Sequence, residues 1–196
     1  MNKKRTPLFI ALAALAAILL YFISTYNGLV KKEEKVKLQW NEVQNAYQRR
    51  LNLIPSLVNV VKGLANYEQT TLQQIAEARA KAASVTVSGN EISADTYNQQ
   101  TTAQDNLAIA TNNLIISIEK YPSLKGTSAF SDLQTQLEGT ERRIKVARKD
   151  FNGAVAAYNN AVRRFPSSLV AGITGFKVKE GFQADAGADK STEIKF

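Results

Sequence analysis

The 196-residue chain has no cysteine and no histidine. Without cysteine there are no disulfides, thiol nucleophiles or thiolate-held metals, and without histidine the commonest metal ligand and general base are missing. Zero cysteine suits either redox compartment and does not settle location. Also missing are a G-x-S-x-G elbow, a phosphate-cradling glycine loop and carboxylates at metal-ligand spacing. Glu33 and Glu34 are adjacent and face different sides of a helix, while Asp185 and Asp189 lie in a glycine-containing tail. These absences predict no enzyme, no cofactor and no metal. No nucleic-acid partner is expected, because the sequence holds neither a dense Lys/Arg stripe nor a recognisable stacking module.

Charge is absent from Leu8 to Ile23, sixteen residues in a row. A bilayer-spanning helix needs about 20 apolar residues, a length reached when Ser24, Thr25 and Tyr26 complete the last turn. Residues 1–7 then form a basic N-terminal segment with Lys3, Lys4 and Arg5, and 8–26 a transmembrane helix in contact with the lipid bilayer. Tyr21, Phe22 and Tyr26 supply interfacial aromatics, and Lys31 and Lys32 mark the far headgroup boundary. The rival reading is a cleaved signal peptide. Small-residue A-x-A patterns occur only inside the run, at Ala11 to Ala13 and Ala14 to Ala16, and its far end is bulky, which favours the anchor. The net charge of +8 includes three charges from Lys3, Lys4 and Arg5, leaving a mildly basic remainder. Lys31, Lys32, Lys35 and Lys37 can attract anionic headgroups, a case that Glu33 and Glu34 weaken.

Residues 27–166 read as an all-α bundle, large enough to bury a core without metals or disulfides. A first helix is predicted over 35–81, with Val36, Trp40, Val43, Tyr47, Ile54, Leu57, Val61 and Leu64 at alternating three- and four-residue steps. Arg50 occupies the one polar position in that seam, and two readings are open: a snorkelling side chain or a buried pair with a carboxylate on a neighbouring helix. Pro55 deletes its own amide and crowds the carbonyl of Leu51, predicting a kink there. The stretch from Ala82 to Ser93 loses periodicity and reads as a loop, with Ser93 a helix cap and Asp95 in the first turn. A second helix is predicted over 94–120, polar at first and then apolar at Leu107, Ala110, Leu114, Ile118 and Tyr121, with Pro122 stopping it. The third, 129–165, keeps a 3,4 alternation through Phe130, Leu133, Leu137, Thr140, Ile144, Ala147, Phe151, Ala154, Tyr158, Ala161 and Phe165, which argues for elongated, antiparallel, coiled-coil-like packing. After Pro166, the tail 167–196 is glycine-rich and aperiodic. It reads as a disordered segment, a short β element, or an apolar strap carrying Phe176 and Phe182 that docks on the bundle or on a neighbouring subunit.

Glu141, Arg148, Asn152 and Asn159 fall on one side of the third helix beside its seam. Half-hidden charges need partners, so Glu141 or Glu138 is expected to face Arg49 or Arg50, with Asn152 and Asn159 fixing helix register. The alternative is that all four are ordinary solvated flank residues.

The stretches Tyr26-Asn27-Gly28-Leu29-Val30, the Trp40 region, Arg49 to Val58, Tyr121-Pro122-Ser123-Leu124-Lys125, Thr140 to Ile144, Ala147-Arg148, Phe151-Asn152 and Tyr158-Asn159 together resemble the LemA family of bacterial membrane proteins. The likeness covers essentially the full length, and its blocks stand in order. It implies a single-pass membrane protein with a long helical domain and no established enzymatic activity, in a bacterial cytoplasmic membrane. Lys3, Lys4 and Arg5 argue for a cytoplasmic amino terminus and an extracytoplasmic bundle, although Lys31, Lys32, Lys35 and Lys37 nearly balance them. Two functions are expected from such a layout. One is a scaffold whose rods associate into a homo-oligomer at the cell envelope; the other is an adaptor that binds another membrane protein, such as a quality-control protease.

Overall fold

The computed structural model describes residues 6–62, 69–85, 94–118 and 120–182. The apolar run and the first bundle helix are one continuous helix, α1 (Thr6–Lys62), whose 57 residues reach about 85 Å at about 1.5 Å each. There follow α2 (Gln69–Ser84), α3 (Ala94–Ile118), the single-turn α4 (Pro122–Lys125), α5 (Ser128–Arg163) and α6 (Ser167–Thr174).

α1 passes through Asn27 and Gly28 unbroken because the bundle already holds it there. Leu29 and Val36 are buried, and the Lys37 ammonium lies 2.8 Å from Glu34 one turn back. At its far end α1 stops at Lys62, so the predicted 35–81 helix is two helices. A basic last-turn residue followed by Gly63 is a stop signal that the Val61 and Leu64 spacing obscured. α2 then lies back along α1, close enough for Arg79 to reach Leu51.

Pro55 stays within α1. It has no amide to give the Leu51 carbonyl, and that carbonyl instead accepts from Arg79 Nε at 3.1 Å. The missing rung of one helix thus becomes the attachment point of the next.

α5 runs antiparallel to α1, with Phe151 against Trp40 and Glu141 against Arg50. α3 runs parallel to α1, Gln100 meeting Gln44 and Gln104 meeting Arg50. Two apolar clusters fill the interior. One, toward the apolar end of α1, gathers Leu29, Trp40, Tyr97, Phe151 and Val170. The other, toward Lys62, gathers Leu57, Ile75, Leu107, Leu114 and Phe130. Among the described residues the architecture is an elongated, wholly helical bundle with no strand.

The seam of α5 follows its predicted positions to Phe151 and then moves one residue on, burying Val155 and Val162 where Ala154 and Ala161 were expected. A straight helix drifts against a seven-residue repeat, and the larger valines take the core. Phe165 lies past the last residue of α5 and is 75% exposed rather than part of the seam. Pro122 opens α4, a position where its missing amide costs nothing. The tail is ordered at its start: α6 forms, Gly175 turns left-handed at φ 81° to end it, and the chain continues without regular structure to Phe182. Ser93, Leu64 and the tail beyond Phe182 lie outside the described residues.

Candidate functional site

Two polar constructions join the rods, and most of the residues singled out from sequence take part in one or the other.

The first centres on Arg50, 2% exposed. Its Nε and Nη2 donate to the two carboxylate oxygens of Glu141 at 2.8 and 2.5 Å. Nη1 donates to the backbone oxygen of Gln104 at 2.8 Å and to its Oε1 at 3.2 Å. One guanidinium therefore ties α1, α3 and α5 in a bidentate geometry available only to arginine. Glu138 takes no part; it accepts from Gln134 on the surface. Arg49 points instead into an open groove between α1 and α5, beside Glu42, Arg142, Arg143 and Asp150.

One turn toward the apolar end, Gln44 and Gln100 exchange reciprocal amide hydrogen bonds at 2.7 Å. Gln100 and Gln104 were not foreseen as core residues. Their signal was present, since Tyr97, Gln100, Gln104, Leu107, Thr111, Leu114 and Ile118 continue one 3,4 alternation. The apolar residues alone marked only its second half.

The second construction holds the strap, residues 175–182, in the channel between α1 and α5. Asn159 Nδ2 donates to the Lys179 carbonyl at 2.7 Å, and its Oδ1 accepts the Lys179 amide at 2.8 Å. Asn152 does the same with Phe182, at 3.0 and 2.7 Å. Each asparagine thereby completes both backbone groups of one strap residue, as a neighbouring strand would. The spacing explains the match: seven helical residues rise about 10.5 Å, and three extended residues span about 10 Å. The asparagines hold the strap against α5, whereas the sequence led us to expect them to set the register of helix against helix.

Side chains repeat the same interval. Phe176 meets Tyr26 with ring centroids 5.8 Å apart, Lys179 pairs with Glu33 at 3.0 Å, and Phe182 stacks on Trp40 at 6.1 Å. Phe182 also lies 4.6 Å from the ring of Tyr97 and 5.6 Å from that of Phe151. Over this aromatic cluster sits Arg148, its guanidinium carbon 4.9 Å from the Phe182 centroid. Arg148 donates from Nε to the Tyr47 hydroxyl at 3.1 Å and from Nη2 to Asp105 at 2.7 Å. Burial pushes the Tyr47 phenol above its ordinary value against the pull of Arg148, so it remains a neutral acceptor. Tyr121 packs at the edge of the second apolar cluster, away from both constructions.

Two expected results follow locally. A Cβ on Gly181 would stand 2.7 Å from Asn152 Oδ1, and that oxygen is tied to the Phe182 amide. Gly181→Ala should weaken the strap by about 1–2 kcal/mol, read as roughly five- to thirtyfold faster hydrogen exchange at Phe182. Tyr158 donates its hydroxyl to the Lys177 carbonyl at 2.9 Å, and burial pushes its pKa up to about 12. An acid whose folded pKa is raised gives its full stabilisation below the unfolded value of about 10. That contribution is lost as pH rises from about 10 to 12. Exchange of the strap amides, corrected for intrinsic base catalysis, should accelerate across that window in the parent chain and not in Tyr158→Phe.

The arrangement is a clasp: a rigid helix pair holds an extended segment by backbone and ring. The sequence profile of the LemA family matches residues 39–196. The chain belongs to the LemA family. The matched stretch opens inside α1, one residue before Trp40, so it takes in the Arg50 tie and the strap but not the apolar run. Relatives of this LemA-family chain include the magnetosome protein MamQ of Magnetospirillum gryphiswaldense, 26% identical over 94% of this chain and 76% of that protein. Magnetosome protein MamQ 1 of Paramagnetospirillum magneticum is 23% identical over 92% of this chain and 72% of its own length. Protein LemA of Metamycoplasma hominis is 23% identical over 76% of this chain and 65% of its own.

Proposed function

We propose that the chain is a non-catalytic scaffold anchored in a bacterial cytoplasmic membrane by the apolar half of α1, with its bundle outside the cytoplasm, and that it works by self-association. The observation that carries this reading is the unbroken course of α1 from the apolar run into the bundle, which gives every copy the same height and direction.

The outer face of α3 supports self-association. It exposes Ile109 and Ile116, seven residues apart, among Asn98, Gln99, Thr102, Asn106, Asn112 and Asn113, and the one carboxylate beside Ile109, Asp105, is already paired with Arg148. Parallel copies in one membrane, related by a two-fold axis along the membrane normal, meet at equal heights. A mostly amide-bearing face whose Asp105 is neutralised by Arg148 tolerates that meeting. The groove between α1 and α5 does not, because it would set Glu42 against Asp150 at one level and Arg49 against Arg142 and Arg143 at another. That mixed-charge groove favours a second role as an adaptor for a different membrane protein.

The mass distribution of the full-length protein in mild detergent tests the scaffold. A discrete oligomer that falls to monomer in Ile109→Glu/Ile116→Glu is the expected result. A monomeric parent chain would shift the assignment to the adaptor.

A further inference from the structure

α6 buries Val170 and Ala171 in the cluster that contains Leu29 and Val162, and Phe22 of α1 packs on the same cluster. Its other side carries Leu169, 61% exposed, and Ile173, 77% exposed, one turn apart. Phe165, just ahead of the helix, is 75% exposed. Three large side chains open to water within nine residues need an occupant.

The position of α6 names that occupant. Phe22, Leu29 and the Tyr26 to Phe176 ring contact set α6 beside the turns where the apolar run of α1 ends. Ile18, Leu19 and Ile23 of that run are themselves exposed at 55 to 65%. The bare face of α6 is thus continuous with the surface α1 turns toward lipid. Exposed cations frame it: Arg163 and Arg164 precede Phe165, and Lys177 follows Gly175. Apolar residues bordered by basic ones at a headgroup boundary make the pattern of a helix lying in the membrane interface.

We propose that α6 is a second membrane contact: Phe165, Leu169 and Ile173 enter the leaflet adjacent to the end of the α1 span, with Arg163, Arg164 and Lys177 at its headgroups. The inference rests on reading the apolar run as a bilayer span. With α1 alone the bundle is free to rotate about one axis; α6 adds a second point and turns one chosen side of the rod toward the membrane.

The absence of cysteine makes the test direct. Single variants Leu169→Cys, Ile173→Cys, Leu15→Cys in the run and Val146→Cys midway along α5 are labelled with an environment-sensitive fluorophore. The full chain is then placed in phosphatidylcholine–phosphatidylglycerol vesicles containing lipid with a nitroxide near the top of the acyl chain. The expected result is at least twofold quenching at positions 169 and 173, with none at 146. Quenching at 15 but not at 169 or 173 would overturn the inference while leaving the span intact. If 169 and 173 were shielded from aqueous iodide yet untouched by the lipid nitroxide, a second copy would cover the face and the proposal would fall. Absence of quenching at 15 as well would remove the span reading and the inference with it.

Discussion

Arg50→Ala is expected to lower the melting temperature of the full-length protein in mild detergent by about 6–12 °C, from a loss of about 3 kcal/mol in a chain of this size. The guanidinium is 2% exposed and holds Glu141 together with the backbone and side chain of Gln104. Its removal takes away the donor that the buried Gln104 Oε1 accepts from and opens a cavity at the junction of three helices. Glu141 is 46% exposed at its side chain, so water replaces part of what it loses. Glu141→Ala is more damaging than that exposure suggests, because it strips a buried cation of its counter-charge. The double mutant should therefore lose less than the sum of the two, by about 1–3 kcal/mol. Additive losses would mean that the two side chains do not stabilise one another. Arg50→Lys should recover little, since a single ammonium cannot reach both carboxylate oxygens and Gln104 at once.

The second large effect concerns the strap. In Asn152→Asp/Asn159→Asp each side chain keeps the oxygen that accepts a strap amide, but the donor facing the carbonyl of Phe182 or Lys179 becomes a second acceptor. Losing two half-buried donors and opposing lone pairs at both sites should cost on the order of 2–4 kcal/mol, or about 30- to 1,000-fold faster hydrogen exchange at Lys179 and Phe182. Amides of α5 away from the strap should change far less, because the seam of that helix packs on α1 independently. Unchanged exchange at Lys179 and Phe182 would show that rings alone hold the strap. Equal acceleration throughout α5 would show that strap and bundle open as one unit.

The seams of α1 and α5 were legible because their apolar residues repeat at helical intervals, and the only charged interruption, Arg50, announced itself by standing on such a seam. Half of the α3 seam was hidden for the opposite reason: Gln100 is satisfied by Gln44 and Gln104 accepts from Arg50, both across the α1 interface, so the core there is polar and hydropathy misses it. The end of α1 was misjudged where two signals competed and periodicity outweighed a glycine. Asn152 and Asn159 were marked by position, yet their task depended on a segment with no periodicity of its own. An extended strap is specified by the surface that receives it, and such complementarity emerges only when helix rise and strand rise are compared in space. The groove around Arg49 was invisible for a related reason, since a surface between two helices has no local sequence signature.

The continuity of α1 also makes it a lever. From Asn27 to Lys62 the same helix that leaves the apolar run extends about 54 Å, at about 1.5 Å per residue. A change in bilayer thickness that tilted the span by about 10°, well within the range spanning helices adopt, would sweep the far end sideways by about 9 Å. With the apolar run read as a bilayer span, thinning or thickening of the lipid would be felt as displacement at Pro55 and α2, and the distal surface would move with the mechanical state of the membrane.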